Sequence, residues 1–220
     1  MPELKPEEYM EQMNSKQKLS YIWEYYKLPI IAVLIAIVAV SYFIYEQKTK
    51  DIYVLDVMLI GDSMEYDKQQ ELSDTITEQF VREYSSNSRE KANVEFVPVT
   101  IDNGQRSLSY EYVQKLMACM AAGQLDVMVM DESIYQSYAE QGAFLNLEEL
   151  GIVIPQGKGD EVIEAKDEDG KAYTAGIRFD SGDGILSAVG FDSKDKIICV
   201  SVNTNHKETS GKVVQWLINQ

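Results

Sequence analysis

Two short polar segments, each directly after a predicted strand, carry the residues best suited to bind a ligand. These candidate site residues are Gly61, Asp62, Ser63, Asp131, Glu132 and Ser133. In open α/β sheets, ligands bind outside the carboxyl ends of the strands, near the point where the strand order reverses. The carboxylates favour a cationic or hydroxyl-rich group on the ligand or partner. The alternative is that Asp62 and Ser133 cap the helices that follow, by satisfying the first helical amide groups.

The remaining reactive side chains form no recognisable catalytic or metal-binding motif. His206 is the single histidine, and because no nucleophile motif accompanies it, we interpret it as a surface histidine. The acidic turns at residues 167–170 and 180–184 resemble calcium loops. The first has its glycine too early for an EF-hand, and the second lacks the closing glutamate. We therefore expect a protein that is not an enzyme and that holds neither a metal nor a cofactor.

Alternating strand and helix patterns must position these residues. Strand patterns at residues 53–60, 93–100 and 125–130 alternate with helical patterns at residues 67–84, 112–121 and 133–141. This alternation predicts an α/β fold with a mainly parallel sheet and helices on both faces. Because Pro98 cannot donate to a ladder, we expect it on an edge strand or at a strand end.

The pattern changes after residue 157, where the chain becomes rich in Gly and Asp. Turn signals at Asp169-Gly170 and Asp183-Gly184 predict hairpins or short strands. A buried strand at residues 196–202 and a closing helix at residues 207–219 follow. We expect one sheet to bury seven apolar side chains, namely Val57, Met58, Leu59, Val127, Val129, Ile198 and Val200.

Residues 28–45 form an uncharged run of eighteen residues that predicts a membrane-spanning helix. At a rise of about 1.5 Å per residue the run reaches ~27 Å, close to the ~30 Å hydrocarbon core. Pro29 falls in the first turn of this span, where proline is tolerated. The small residues at 39–41 resemble a cleavage site but lie inside the apolar run. We therefore predict an uncleaved signal anchor rather than a cleaved signal peptide or a buried core helix.

On this basis the chain divides into a leader (residues 1–27), the span (residues 28–45) and an extracytoplasmic domain (residues 46–220). Apolar residues at helical spacing in the leader predict an amphipathic helix at the membrane interface, and a plain helical extension of the span is the alternative. Among the lysines that flank the span, Lys16, Lys18 and Lys27 before it against Lys48 and Lys50 after it slightly favour a cytoplasmic N-terminus. The predicted location is the cell membrane, with a single span and the C-terminal domain outside.

The chain outside residues 1–28 is strongly acidic, with 31 acidic and 16 basic side chains, and the whole chain has a formal net charge of −16. This charge repels nucleic acids and anionic lipid headgroups, so we expect no nucleic acid partner. Cys119 and Cys199 each lie in an apolar stretch, which favours buried thiols over a disulfide.

Three further segments carry a pattern of their own. The first runs from residues 123–130 (GQLDVMVM) into residues 138–150 (YAEQGAFLNLEEL), the second from residues 167–173 (DEDGKAY) to Gly176-Ile177, and the third joins residues 202–205 (VNTN) to the helix with Trp216. In this order they resemble the type 2 extracytoplasmic solute-binding proteins of bacterial uptake systems. Only residues 178–196 stand where full-length members have a second lobe, so the resemblance implies a one-lobe derivative. A single lobe provides only half of the ligand cleft, so we expect weaker solute binding than in full-length members, since small ligands are usually enclosed in a concave site.

Together these observations predict a membrane-anchored, non-enzymatic domain that binds a small-molecule ligand or acts as an accessory to a membrane partner such as a permease. The alternative is a structural or interaction protein whose lobe is a scaffold for docking a membrane or envelope partner. An exposed apolar patch at the carboxyl ends of the strands would favour the interaction protein. A polar, concave surface there would favour ligand binding.

Overall fold

The first unit of the chain contains one long helix. A computed structural model describes residues 14–102, 104–153, 161–166, 169–179 and 182–220, in two units, Met1–Lys50 and Asp51–Gln220. The helix, α1 (Ser15–Thr49), includes the stretch Tyr26–Thr49, whose most apolar window of eighteen residues has a mean hydropathy of 2.5 and no buried part. By length and composition this stretch fits a membrane span or a signal anchor.

The leader and the span share one continuous helix, because α1 shows no break at residue 28. The described part of the leader is therefore a helical extension, and residues 1–13 lie outside the described residues. Pro29 stands inside α1, and its predicted first-turn position is wrong. A proline has no N–H, so the carbonyl of Tyr25 lacks its usual helical donor.

The second unit is an α/β domain built on one mixed sheet. Its strands are β1 (Ile52–Gly61), β2 (Glu90–Pro98), β3 (Thr100–Asp102), β4 (Gln105–Ser107), β5 (Val127–Met130), β6 (Glu161–Lys166), β7 (Ala172–Arg178) and β8 (Ile197–Val200). β3 and β4 form a separate hairpin, and the other six lie in the order β2-β1-β5-β8-β7-β6. β1 is parallel to β2 and β5, as predicted. The other three pairs are antiparallel, because β6 and β7 form a hairpin and β8 returns between β5 and β7.

Helices cover both faces of the sheet, as predicted. They are α2 (Tyr66–Ile76), α3 (Tyr110–Ala121), α4 (Glu132–Ala139), α5 (Ile185–Ala188) and α6 (Lys207–Ile218). A π-helical turn, Thr77–Val81, extends α2, and a 3-10 turn, Leu147–Leu150, follows α4. The helices α2 and α6 pack on one face, and α3 and α4 pack on the other. The parallel strands with their crossover helices bring the polar loops after β1 and β5 to the same edge of the sheet.

The core agrees with the sequence prediction. All seven apolar side chains expected in one sheet are buried. Pro98 is the last residue of the edge strand β2, as predicted. Cys119 and Cys199 are free thiols, and burial raises the pKa of both, which makes them poor nucleophiles.

Candidate functional site

One edge of the sheet, the carboxyl edge, collects the C-terminal ends of β1, β2, β5 and β7 and the first residues of β6 and β8. The six candidate site residues all lie there. Gly61 ends β1, Asp131 follows β5, and Glu132 begins α4. Because β1 and β5 are neighbours, the two polar segments stand next to each other.

Arg106 joins the two candidate segments. Its Nη2 donates to Oδ2 of Asp62 at 2.6 Å, and its Nη1 donates to Oδ1 of Asp131 at 3.2 Å. The hydroxyl of Ser133 donates to the backbone carbonyl of Arg106 at 2.9 Å. The hairpin of β3 and β4 delivers this arginine to the edge. Three of the candidate residues therefore contact one arginine that the sequence analysis did not single out.

Lys196 is a buried cation beneath the same edge. Lys196 is only 3% exposed, and its Nζ donates to Oδ1 of Asp131 at 2.9 Å. The ammonium group lies 5.8 Å from the ring centre of Phe191. A Cβ on Gly61 would stand 2.8 Å from this ring and 3.3 Å from Cε of Lys196, so packing requires glycine at this position. The role of Gly61 is thus to leave room for the buried cation and its aromatic neighbour.

A second group of ion pairs lies where β7 ends. Arg178 pairs through Nη2 with Oε1 of Glu132 at 3.0 Å and donates from Nε to Oε2 of Glu161 at 3.1 Å. The hydrogen bond from Arg178 holds the pKa of Glu132 below its usual value. The candidate carboxylates Asp62, Asp131 and Glu132 are therefore all compensated by basic side chains of the same chain.

The capping alternative is wrong for both Asp62 and Ser133. The N-cap residue of α2 is Glu65 and that of α4 is Asp131, and neither side chain accepts a capping hydrogen bond. Asp62 instead pairs with Arg106, and the hydroxyl of Ser133 is a donor rather than an acceptor. The polar residues of this edge hold the hairpin and not the helix ends.

Large apolar side chains stand exposed at the carboxyl edge, at the starts of α2 and α3 and on the β3–β4 hairpin. Tyr66, the first residue of α2, is 85% exposed, Tyr110, the first residue of α3, is 76% exposed, and Ile101 of β3 is 71% exposed. These three residues form the apolar rim. Ile101 pairs with Arg106 across the hairpin, so both side chains lie on one face of it. Ser63, the remaining candidate residue, is exposed and lies shortly before Tyr66 in the sequence.

Two open grooves flank the sheet. One, of about 660 Å³, runs between α3 and α4 and reaches Arg106 and Ser133 at the carboxyl edge. The other, of about 670 Å³, lies at the opposite end of the sheet, between the β6–β7 hairpin and the turn Leu147–Leu150. Glu148 and Glu164 line this second groove, which makes it acidic.

The opposite edge of the sheet, the amino edge, contains a buried polar cluster that the sequence analysis missed. Asp126 is 1% exposed and accepts hydrogen bonds from the backbone N–H of Asp56 at 2.8 Å and from the hydroxyl of Thr204. Nδ1 of His206 lies 3.3 Å from Oδ1 of Asp126, and the histidine side chain is 40% exposed. Burial raises the pKa of Asp56, and the negative charge of Asp126 adds to this effect.

Among the described residues, no group of three or more His, Cys, Asp and Glu side chains is arranged to hold a metal ion. Parts of the two calcium-like turns, residues 167–168 and 180–181, lie outside the described residues.

The sequence analysis missed the three basic residues of the carboxyl edge for different reasons. Arg106 had a local signal, because Asn103-Gly104 is a strong two-residue hairpin turn and Arg106 follows it. Lys196 and Arg178 had none, since their positions depend on where β8 and β7 enter the sheet. Strand order of this kind is not a local property of the sequence.

Comparisons of this chain with protein-family models, with curated proteins and with solved structures find no match. The resemblance to type 2 solute-binding proteins therefore stays a prediction from the three sequence segments.

Proposed function

We propose that this chain is a non-enzymatic docking domain, held at the membrane by α1, that binds a partner protein through the carboxyl edge of its sheet. The observation that carries the proposal is the apolar rim, whose three large side chains are each more than 70% exposed. Exposed apolar groups mark interaction surfaces when they share one side of a domain, as these three share the carboxyl edge, and tyrosine is enriched at the centre of such interfaces. An exposed apolar patch at the carboxyl ends of the strands is the feature expected of an interaction protein.

The ion pairs of this edge favour docking over enclosure of a solute. Asp131 already binds both Arg106 and Lys196, and a charged solute would have to replace these charge-assisted hydrogen bonds. A protein partner can leave them in place and contact the rim residues at the same edge. The charged groups within reach of such a partner then contribute to specificity and to the rate of association.

Small-molecule binding is the second candidate, and the groove between α3 and α4 favours it. The groove has a volume of about 660 Å³ and joins the polar groups of Arg106 and Ser133 to the apolar side chains of Leu108 and Met117. Ligand sites commonly combine an apolar wall with a few polar groups in this way. A thermal-shift screen of small molecules with the full-length protein tests it. A stabilising compound whose effect disappears in Met117→Asp would support ligand binding.

The membrane position in this proposal depends on α1 and on the charges that flank it. An apolar helix of this length fits a single span, and the flanking lysines, three at positions 16, 18 and 27 against two at positions 48 and 50, favour a cytoplasmic N-terminus. The domain would then lie on the outer face of the cell membrane, with a permease or another envelope protein as its partner. Protease added to intact spheroplasts should remove the domain. Full protection of the domain, or a mature protein that begins near Tyr42, would contradict this topology.

Site-specific photocrosslinking in intact cells tests the docking surface. A photoreactive phenylalanine at Ile101 should give one discrete crosslinked product. Val153 is the matched control, because it is equally exposed at 71% and precedes β6 on a different part of the domain. The same product at both positions, or none at Ile101, would show that the carboxyl edge is not the docking surface.

A further inference from the structure

We propose that the partner of the carboxyl edge is a basic protein segment, whose arginine or lysine side chains lie on the rings of Tyr66 and Tyr110 and pair with the carboxylates beside them. The inference rests on the proposed docking function and specifies the chemistry of the partner. Its basis is the apolar rim together with the charge that surrounds it.

The tyrosines of the rim have acidic neighbours without a basic partner. Glu65 and Asp67 flank Tyr66, and Glu111 follows Tyr110. None of the basic side chains in the described part of the chain forms an ion pair with these three carboxylates. The carboxylates nearer the centre of the edge, in contrast, are all compensated. Asp67 and Glu111 therefore leave negative charge next in sequence to the exposed tyrosines of this edge, whereas the charge of Lys68 partly offsets that of Glu65.

The same domain shows what such a tyrosine binds when a cation is within reach. Glu83-Tyr84 repeats the Glu-Tyr sequence of residues 65–66, and Lys212 places its Nζ 4.4 Å from the ring centre of Tyr84. That ammonium group also pairs with Glu83 at 3.3 Å and with Glu208 at 3.4 Å. Tyr84 is 50% exposed with its lysine in place, whereas Tyr66 is 85% exposed. Tyr66 thus has the acidic and aromatic half of this contact and lacks the cation.

Helix dipoles account for part of this arrangement but not for all of it. Asp67 and Glu111 stand in the first turns of α2 and α3, where acidic side chains are favourable in any protein. The dipole does not explain why the first residue of each helix is a large, exposed tyrosine. A cation–π contact on an exposed ring strengthens binding by about two- to fivefold. The net charge of the domain also attracts a basic partner over longer distances and accelerates its association.

The test uses the full-length protein in phosphatidylcholine nanodiscs, with fluorescein-labelled nona-arginine as the probe and fluorescence anisotropy at low salt as the readout. Tyr66→Ser/Tyr110→Ser should weaken binding about tenfold, since it removes two cation–π contacts without changing the charge. Tyr53→Ser/Tyr84→Ser, which removes two exposed tyrosines elsewhere, should change it less than about twofold. Empty nanodiscs give the background, and thermal melts of all variants within a few degrees of the parent confirm folding.

A matched pair of charge variants separates a local contact from attraction by net charge. Asp67→Lys/Glu111→Lys and Glu140→Lys/Glu164→Lys change the net charge equally, but only the first pair lies at the rim. The first pair should weaken nona-arginine binding several-fold more than the second. Equal losses in both pairs, no effect of the tyrosine variants, or no binding of nona-arginine would overturn the inference. The docking proposal is judged separately, because a selective crosslink at Ile101 would then persist and identify a partner that is not basic.

Discussion

The two edges of the sheet both contain carboxylates, yet they use them in different ways. At the amino edge, Asp126 is 1% exposed and joins its own segment to two others, one through Asp56 and one through Thr204 and His206. At the carboxyl edge, the side chains of Asp62 and its partner are 46% and 40% exposed and remain in contact with water. Water already satisfies exposed groups, so their pairing contributes little to stability. The amino edge therefore holds the fold, and the carboxyl edge keeps polar and aromatic groups available for a partner.

The largest expected difference between the edges is in the free energy of unfolding. Asp126→Ala would leave the N–H of Asp56 and the hydroxyl of Thr204 buried without an acceptor, and we expect a loss of about 3–5 kcal/mol. Asp62→Ala should cost less than about 1 kcal/mol. Urea unfolding in a Trp23→Phe background, followed by the fluorescence of Trp216, measures both. Similar losses in the two variants would mean that the edges do not differ.

Lys196 is the exception at the carboxyl edge, because it is buried. Lys196→Met keeps the apolar contact with Phe191 but removes the hydrogen bond to Asp131, which retains Arg106 as a partner. We expect a loss of about 1.5–3 kcal/mol, the usual range for a hydrogen bond to a charged group. Lys194→Met, an exposed control two residues away, should stay within about 0.5 kcal/mol of the parent. If Lys196→Met left the free energy of unfolding unchanged, the ion pair between Arg106 and Asp131 would be sufficient to stabilise this edge.

In the core beneath both edges, two tyrosine hydroxyls differ in whether they have a hydrogen-bond partner among the described residues. Removing each hydroxyl should therefore change the free energy of unfolding in opposite directions. The hydroxyl of Tyr135 is buried without a hydrogen-bond partner in the described part of the chain, whereas the hydroxyl of Tyr173 donates to the Phe144 carbonyl at 3.2 Å. Tyr135→Phe should therefore raise the free energy of unfolding by about 1 kcal/mol, and Tyr173→Phe should lower it by about 1 kcal/mol. Urea unfolding of the two variants provides the measurement. A loss in Tyr135→Phe would reveal an ordered water or another partner for its hydroxyl.

The contrast between the edges also explains which features the sequence could predict. Periodicity is local, so the strands around Val57 and Val127 and the helices between them were correctly expected, as was the hairpin turn at Asp169-Gly170. The carboxylates Asp62 and Asp131 were correctly placed together, because parallel neighbours end at the same edge.

The features that sequence analysis missed depend on contacts between distant segments. Lys196 reaches Asp131 only because β8 enters the sheet between β5 and β7. Asp126 gains its structural role from Thr204, which lies 78 residues away in the chain. Neither contact leaves a pattern in the neighbouring sequence. The first-turn position of Pro29 was predicted wrongly for the opposite reason, because a strong local rule favours proline at a helix start, although a continuous helix through the leader was one of the two alternatives.

The smallest expected difference between the edges is in how their contributions to stability depend on pH. The contributions of Asp56 and Glu132 change in opposite directions as the pH rises. Burial raises the pKa of Asp56 beside the amino edge, while the hydrogen bond from Arg178 lowers the pKa of Glu132 at the carboxyl edge. The contribution of Asp56 to stability is present below its unfolded pKa of about 3.8 and is lost as the pH rises through its folded pKa. The contribution of Glu132 is present above about 4.5 and is lost as the pH falls through its folded pKa.

Amide substitutions convert this difference into a measurement. Asp56→Asn imitates the protonated acid and keeps an oxygen that accepts from Asn93, so it should raise the midpoint of thermal unfolding by about 1–3 °C at pH 7. Glu132→Gln should lower the midpoint slightly at pH 7, because exposed ion pairs contribute little. Both effects should shrink at low pH, because Asp56 is then protonated in both states and Glu132 becomes protonated as the pH falls through its folded pKa. Shifts of the same sign at pH 7 would show that the two edges do not differ in how they treat a negative charge, and the division between a structural edge and a docking edge would fail.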